Sequence, residues 1–144
     1  MSKFLSRLRG DCQGSVAIEF ALIGPAFITM FLGVLQIGIG MQNYNAMRGI
    51  SADVARYAVV NYQTANRLTT SQLEDYARSV AAAPPYGLTR SRLTASVALA
   101  TTQRVAGATE YTMTLDYTVP SVLGIMGMQD IPLSYDRPIF VVAS

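Results

Sequence analysis

An uninterrupted apolar run near the N-terminus constrains this chain more than any other feature. Residues 20–41 form 22 consecutive positions without a charge, and their only polar side chains are Thr29 and Gln36. As an α-helix rising ~1.5 Å per residue, this run reaches ~33 Å, enough to cross a hydrocarbon core of ~30 Å. The sequence therefore predicts a membrane-spanning helix, which we place at residues 15–42.

The charges on either side of this run predict its direction. Lys3, Arg7 and Arg9 precede it, whereas Arg48 and Arg56 are the only cations among the first 15 residues beyond Met41. Because positive charge is retained in the cytoplasm, the N-terminus is expected inside and residues 43–144 are expected to form an exported domain. A cleavable secretory signal is the competing interpretation, but its apolar region normally spans about 7 to 15 residues.

The remaining charge argues against a nucleic-acid partner. Charged residues make up 14% of the chain, against about 25% in typical globular domains. After Met41 there are eight arginines and seven acidic residues. This balance leaves no basic face to follow a phosphate backbone.

The composition also removes most catalytic chemistry. The chain has no histidine, Lys3 is its only lysine and Cys12 its only cysteine. Ser/His or Cys/His nucleophiles and His/Cys zinc sites are therefore excluded, and Cys12 has no partner for an intramolecular disulfide. The carboxylates show no close-spaced ligand or calcium-loop pattern. We predict no catalytic residue, no metal, no cofactor and no small-molecule substrate.

The most informative residues come just before the apolar run, in the sequence Gly-Ser-Val-Ala-Ile-Glu-Phe at positions 14–20. Glu19 alone has a simple explanation, because the N-terminus of a helix favours an anion by about 0.3 to 1 kcal/mol. The combination is more specific: a basic leader, Gly14, Glu19 five residues later, Phe20, and then a long apolar helix.

This motif resembles the type III prepilin-peptidase signal of Tad/Flp pilus proteins, in which cleavage follows Gly and Glu-Tyr or Glu-Phe closes the motif. Residues 19–25 are similar to the opening of the TadE-like minor pilins, or pseudopilins, and the resemblance runs from Gln13 to about Arg56. It implies processing at Gly14, Ser15, Glu19 and Phe20, with residues 1–14 removed as a leader. The chain length favours a TadE or TadF type over the shorter major pilin and the longer TadG type.

The resemblance also implies a location and partners. It implies a structural, non-enzymatic protein of the bacterial inner membrane, with a cytoplasmic N-terminus and a periplasmic C-terminus, that enters the pilus after processing and has a role in adhesion. The implied partners are a prepilin peptidase, other pilins or pseudopilins, and the Tad assembly machinery. One alternative is an uncleaved, signal-anchored periplasmic binding or scaffold module. Another is a small carboxylate-dependent enzyme, which would need a pocket that gathers two acids with perturbed pKa values.

Two features within the apolar helix suggest further roles. Gly24 and Pro25 should weaken it locally and kink it, because Pro25 has no N–H to donate to the carbonyl of Ala21. The kink is either a tolerated irregularity or a point of bending. Ala17, Ala21 and Gly33 would let another helix approach closely.

The exported part is predicted to be α+β and pilin-like, with the long N-terminal helix packed on a small antiparallel sheet. Apolar residues at three- and four-residue steps extend the helix to about Asn61. Ser71 and Glu74 predict a capping box that opens a second helix, with Leu73, Tyr76, Ala77 and Val80 on one face, ended by Pro84 and Pro85.

Three runs with a period of two predict the strands. Residues 93–100 and 111–119 form a hairpin joined through Gly107, with Leu93, Ala95, Val97 and Leu99 on the inner face of the first strand. Residues 131–142 contain Pro132 and Pro138, which limit them to an edge strand or a broken strand. The apolar loop at residues 120–128 is expected to tuck beneath the sheet, and its alternative is an exposed partner surface.

Overall fold

The structure, a computed structural model, describes residues 13–64, 66–124 and 127–142, with side chains from residue 16 onward. The predicted leader, residues 1–14, lies outside this range except for the backbone of its last two residues. The elements are helix α1 (Gln13–Gln63), helix α2 (Thr70–Ala82), a 3-10 turn (Arg90–Arg92), and strands β1 (Leu93–Leu99), β2 (Thr109–Val119) and β3 (Ile131–Val141). The predicted α+β class, with a long apolar helix and a small antiparallel sheet, is confirmed.

Helix α1 is a single element of 51 residues, or ~77 Å at ~1.5 Å per residue. It continues through Gly24 and Pro25 without a break, and the hydroxyl of Thr29 donates to the carbonyl of Pro25 at 2.8 Å. The predicted extension to about Asn61 is confirmed, since the helix ends at Gln63. The kink at Gly24 and Pro25 stays a prediction.

The two halves of α1 have different environments. Its N-terminal half is apolar and exposed, as at Phe20, which is 77% exposed. Its C-terminal half buries a stripe at three- and four-residue steps that forms the centre of the domain core: Met47, Ile50, Val54 and Ala58. The same helix is therefore exposed along its N-terminal half and forms the centre of the domain core along its C-terminal half.

Helix α2 begins differently from the prediction. The capping box is made by Thr69 and Gln72: the Thr69 hydroxyl accepts the Gln72 N–H at 3.3 Å, and Gln72 Oε1 accepts the Thr69 N–H at 2.9 Å. The predicted box at Ser71 and Glu74 is wrong, because Glu74 Oε1 instead accepts the amide of Val97 on β1 at 2.9 Å. The predicted core face of α2 is buried at Leu73 and Ala77.

The sheet is antiparallel in the order β1-β2-β3, so the prolines of β3 lie on an edge as predicted. Gly107, at a φ of +81°, lies in the predicted hairpin connection and takes a conformation that favours glycine. Met113, Leu115 and Val119 alternate into the core. Leu99 was expected inside but is 60% exposed, because it is the last residue of β1 and lies beyond the positions that bond to α2.

The loop between β2 and β3, residues 120–130, only partly follows the prediction. Leu123 is buried, whereas Met128 is 58% exposed, and residues 125–126 lie outside the described range. The loop is fastened to α1 through Gln36. Leu123 is therefore buried, although outside the core cluster, and the expectation of tucking is wrong for Met128.

Candidate functional site

The main candidate site is the exposed part of α1 at residues 16–41, which we call the anchor segment. Its large apolar side chains that are at least 44% exposed are Val16, Ile18, Phe20, Leu22, Ile23, Phe27, Ile28, Met30, Phe31, Val34, Leu35, Ile37 and Met41. Within the described residues, α1 is the one helix long and apolar enough to cross a membrane. Leaving so much apolar area in water would be costly at roughly 25 cal/mol per Å², so this surface is suited to lipid or to other apolar helices.

The predicted processing residues lie together at the start of α1. Gly14 and Ser15 are in its first turn, and Glu19 and Phe20 follow within about one more turn, with exposed side chains. Ser15 and Glu19 are four residues apart, which places them on the same face of the helix. The motif is therefore presented on a helix that continues directly into the anchor segment.

The small residues predicted to pack against other helices are not covered by the part of the chain that the structure describes. Ala17 and Ala21 are exposed. A Cβ at Gly33 would have no atom outside its own helix backbone within 4 Å. Close packing at these positions concerns other chains and stays a prediction.

Gln36 joins the anchor segment to the exported domain and was not predicted to do so. Its side chain is 5% exposed. Its Nε2 donates to the carbonyl of Pro120 at 3.3 Å, and its Oε1 accepts the amide of Val122 at 2.7 Å. We call this pair of hydrogen bonds the Gln36 latch. A lone amide in a long apolar run was the available signal, but the sequence did not identify its partner.

A second unpredicted contact fixes the segment after α2 to α1. The Tyr86 ring lies over Gly49, where an added Cβ would be 2.5 Å from Cε1 of that ring. The Tyr86 hydroxyl donates to Asp53 Oδ2 at 2.8 Å. Burial raises the pKa of Tyr86, and the hydrogen bond to Asp53 raises it further. Glycine leaves room here for the tyrosine ring, which would have to shift if a side chain were added.

Further tyrosines hold the C-terminal half of α1 against the domain. Tyr57 stacks on Tyr76 with ring centroids 3.9 Å apart. The hydroxyls of Tyr62 and Tyr111 are 3.0 Å apart, and burial raises the pKa of Tyr62 to about 12. Together with the buried apolar residues of α1, these contacts make the C-terminal half of α1 an integral part of the domain.

Both edges of the sheet carry features that hinder pairing with another strand. On β1, the outward Val97 N–H donates to Glu74, and the outward carbonyl of Ala95 accepts from Arg78 Nη2 at 3.2 Å. On β3, Pro132 and Pro138 are an even number of residues apart, so their nitrogens point to the same side of the strand. That side is the open edge, where a proline nitrogen offers no donor. Such edges resist pairing with a further strand.

The carboxylates with altered pKa values are bonded to arginine. Arg104 donates to Glu110 from its backbone N–H at 3.1 Å, from Nε at 2.8 Å and from Nη2, and these bonds lower the pKa of Glu110. Arg92 lies 2.7 Å from Asp130 and lowers the pKa of that carboxyl. Each acid is engaged by a separate arginine, so the two do not form a pair suited to acid–base catalysis.

Two grooves beside α1 also lack paired acids. One, of about 250 Å³, is lined by Gly40, Met41, Tyr44, Asn45 and Leu133. The other, of about 230 Å³, is lined by Val59, Gln63, Phe140 and Val142. The described residues contain no group of three His, Cys, Asp or Glu side chains that could hold a metal ion. What the geometry offers is an apolar surface for association.

The fold and the uncovered helix fit a membrane-anchored α+β protein with one N-terminal apolar helix. Residues 14–56, which are 43 of the 144 residues, match the family model described as TadE-like protein. This match confirms the resemblance over residues 14–20, the anchor segment and the first part of α1 that is buried in the domain core. It implies a part in Tad pilus assembly. The chain matches no curated protein and no solved structure.

Proposed function

We propose that this chain is a structural minor pilin, or pseudopilin, of a Tad pilus assembly system. A prepilin peptidase removes residues 1–14, and the mature subunit associates through the anchor segment with other pilins or pseudopilins. The observation that carries the proposal is the division of α1 into an uncovered apolar half and a half that forms the domain core. The family match over residues 14–56 covers this same division.

The obstructions at the two edges of the sheet favour association through the helix. Glu74 and Arg78 occupy one edge, and the prolines of β3 occupy the other. Strand addition is a common way to join subunits, but it needs free backbone donors and acceptors. The anchor segment instead offers a long apolar surface, with small residues at Ala17, Ala21 and Gly33.

Glu19 has a role that begins with processing. Before cleavage the nitrogen of Ser15 is an uncharged amide, whereas afterwards it is an α-amino group that is largely protonated at neutral pH. A cation is then available for the Glu19 carboxylate, on its own helix or on a neighbouring subunit. We assign Glu19 to pairing with a neighbour's new N-terminus, a contact that makes assembly depend on cleavage.

The proposed orientation follows from the leader charges. Lys3, Arg7 and Arg9 hold the N-terminus in the cytoplasm. The peptidase then acts at the cytoplasmic end of α1, and the domain folds in the periplasm. The partners are the inner membrane, the prepilin peptidase, pilin-like subunits and the Tad machinery.

The test is Glu19→Ala in the native host, with Asp116→Ala as a control that removes an exposed carboxylate from the domain. The Glu19 variant should insert and be trimmed, but should no longer co-purify with pilin-like subunits or support piliation. The control should assemble normally. Normal assembly of the Glu19 variant would refute intersubunit pairing, and failure to trim it would assign Glu19 to peptidase recognition.

A further inference from the structure

The charges of α1 place Gln36 inside the hydrocarbon core of a membrane. Between Glu19 and Arg48 there are 28 residues without a charge, or ~42 Å of helix, which must contain a hydrocarbon core of ~30 Å. A core that starts at Phe20 ends near Ile39, and one that ends at Met47 starts near Ile28. Every placement between the two charges therefore includes Gln36.

The domain selects the first of these placements. Met47 is fully buried in the domain core, so a membrane that reached Met47 would engulf the base of the domain. With the core starting near Phe20, Gln36 lies about 5 Å inside the boundary on the domain side. A lone amide at that depth is unfavourable unless it is hydrogen-bonded.

The latch brings the β2–β3 loop to the same depth. Pro120 and Val122 bond directly to Gln36. The loop leaves the sheet where Val119 pairs with Ile131, so this end of the sheet faces the membrane. Leu99 lies at the opposite end, paired with Tyr111.

The described backbone N–H groups of the loop meet one part of the requirement for immersion in lipid. A non-helical segment can lie at membrane depth only if its polar groups are satisfied within the protein. The described residues of the loop from 121 to 128 all donate their amide N–H to an acceptor in this chain: Ser121 to Asp130, Val122 to Gln36, Leu123 to Ser121, Gly124 to Ser121, Gly127 to Gly124 and Met128 to Leu123.

The distribution of charge around the loop supports the same depth. Residues 120–129 carry no charge, and the exposed Met128 side chain is apolar. The charges at the base of the loop neutralise each other, since Arg92 lies 2.7 Å from Asp130. Tyr44 packs edge-on against Tyr135 at 5.7 Å about two turns beyond Gln36, where aromatic side chains favour the interface.

We propose that the described residues 120–124 and 127–128 of the β2–β3 loop are immersed in the outer acyl-chain region of the leaflet on the domain side, held there by the Gln36 latch, with lipid as their binding partner. The proposal rests on the membrane anchoring in the proposed function, but not on the pilus role. It gives the domain a fixed depth and rotation relative to the bilayer. Removing a subunit from the membrane must then lift the loop as well as the helix out of lipid.

The absence of tryptophan from the chain makes a direct test possible. Met128→Trp places one fluorophore on the loop, and Leu99→Trp places one at the far end of the sheet, at residues that are 58% and 60% exposed. Phe31→Trp marks the anchor segment. Each full-length variant is reconstituted into phosphatidylcholine and phosphatidylglycerol vesicles that contain lipids brominated at shallow or deep acyl positions.

The Trp at position 128 should be quenched more strongly by shallow than by deep bromine, and the Trp at position 31 should be quenched by deep bromine. The Trp at position 99 should be quenched only by aqueous iodide. If brominated lipid does not quench the Trp at position 128, the proposed lipid contact is wrong. This holds both when iodide quenches that Trp and when a second protein shields it from iodide. If the Trp at position 31 also resists bromine, the anchoring itself fails, and the proposed function fails with it.

Discussion

Gln36 Oε1 accepts the amide N–H of Val122 at 2.7 Å across 86 residues of sequence. The contact joins the apolar helix to the loop after β2, while the Nε2 of the same side chain binds the carbonyl of Pro120. One side chain thus satisfies both a donor and an acceptor of the loop. This relationship couples the position of the domain to that of the anchor segment.

Replacing Gln36 by leucine should therefore loosen the loop. The variant keeps a side chain of similar size but leaves Val122 N–H and Pro120 C=O without their partner in a part-buried contact, at up to about 1–3 kcal/mol for each group. Hydrogen exchange of the full chain in detergent should accelerate in peptides covering residues 119–131 and stay unchanged in α2. Ile37→Leu, at an exposed neighbour, is the control. Unchanged exchange in the loop would show that the latch does not hold it.

The contact between Gly49 and Tyr86 predicts a position that rejects a methyl group. In Gly49→Ala the new Cβ collides with the ring, which must move and weaken its bond to Asp53. Overpacking of this kind costs about 1–3 kcal/mol, seen as a lower midpoint of thermal unfolding. Gly38→Ala, where a Cβ meets open space, should cause no loss.

A double-mutant cycle separates this collision from a general effect on the helix. In a Tyr86→Ala background, Gly49→Ala should no longer destabilise the domain, because the ring that it strikes is absent. An equal loss with and without the ring would place the cause in α1 itself.

The pairing of Glu110 with Arg104 predicts a loss of stability in acid. The pKa of Glu110 is lowered in the folded state, chiefly by the hydrogen bonds from Arg104. Its contribution is therefore complete above the unfolded-state value, near pH ~4.3, and is lost as pH falls through the lower folded-state pKa. Glu110→Gln should flatten this part of the stability curve, measured by denaturant unfolding between about pH 2 and pH 6.

Asp75→Asn provides the matched control for this pH dependence. Asp75 also contacts an arginine, Arg78, at 3.0 Å, but its side chain is 73% exposed. Exposed pairs contribute little, so the free energy of unfolding of this variant should fall at acidic pH as steeply as that of the unmodified chain. A Glu110→Gln profile parallel to that of the unmodified chain would contradict the assignment.

The closed edge of β1 predicts that opening it promotes self-association. Glu74→Ala with Arg78→Ala removes the partners of Val97 N–H and Ala95 C=O and leaves a strand edge available for pairing. Sedimentation in detergent should show concentration-dependent oligomers. Asp75→Ala, which removes a neighbouring carboxylate that does not reach the strand, should sediment as the unmodified chain does. Identical sedimentation of the double variant would mean that the edge is protected by something else.

Periodicity predicted the helices and strands well because a repeating apolar face depends only on residues that are close together in the sequence. Met47, Ile50 and Val54 recur at helical steps, and Met113 and Leu115 alternate as expected for a strand. The prolines of β3 also identified an edge correctly, since a missing N–H excludes a central strand. Leu99 followed the same alternation but lies at a strand end, where the pattern does not determine burial.

Contacts between distant segments were beyond such reasoning. Thr69 with Gln72, and Ser71 with Glu74, both match a capping pattern, and the bond from Val97 to Glu74 is a tertiary contact that decides between them. Gln36 was visible as a lone amide, but nothing local pointed to Val122. The processing motif was recognised by its resemblance to a family, because its meaning depends on a peptidase and not on the fold.

The central claim is that this chain is a processed subunit that enters a Tad pilus system, and the mass of the mature protein tests it most directly. Protein purified from the native host should lack residues 1–14 and begin at Ser15, and it should keep its full length in a strain without the prepilin peptidase. Gly14→Val should also remain uncleaved. Full-length protein in the unmodified host, or an N-terminus elsewhere, would contradict the account and favour a permanently anchored domain.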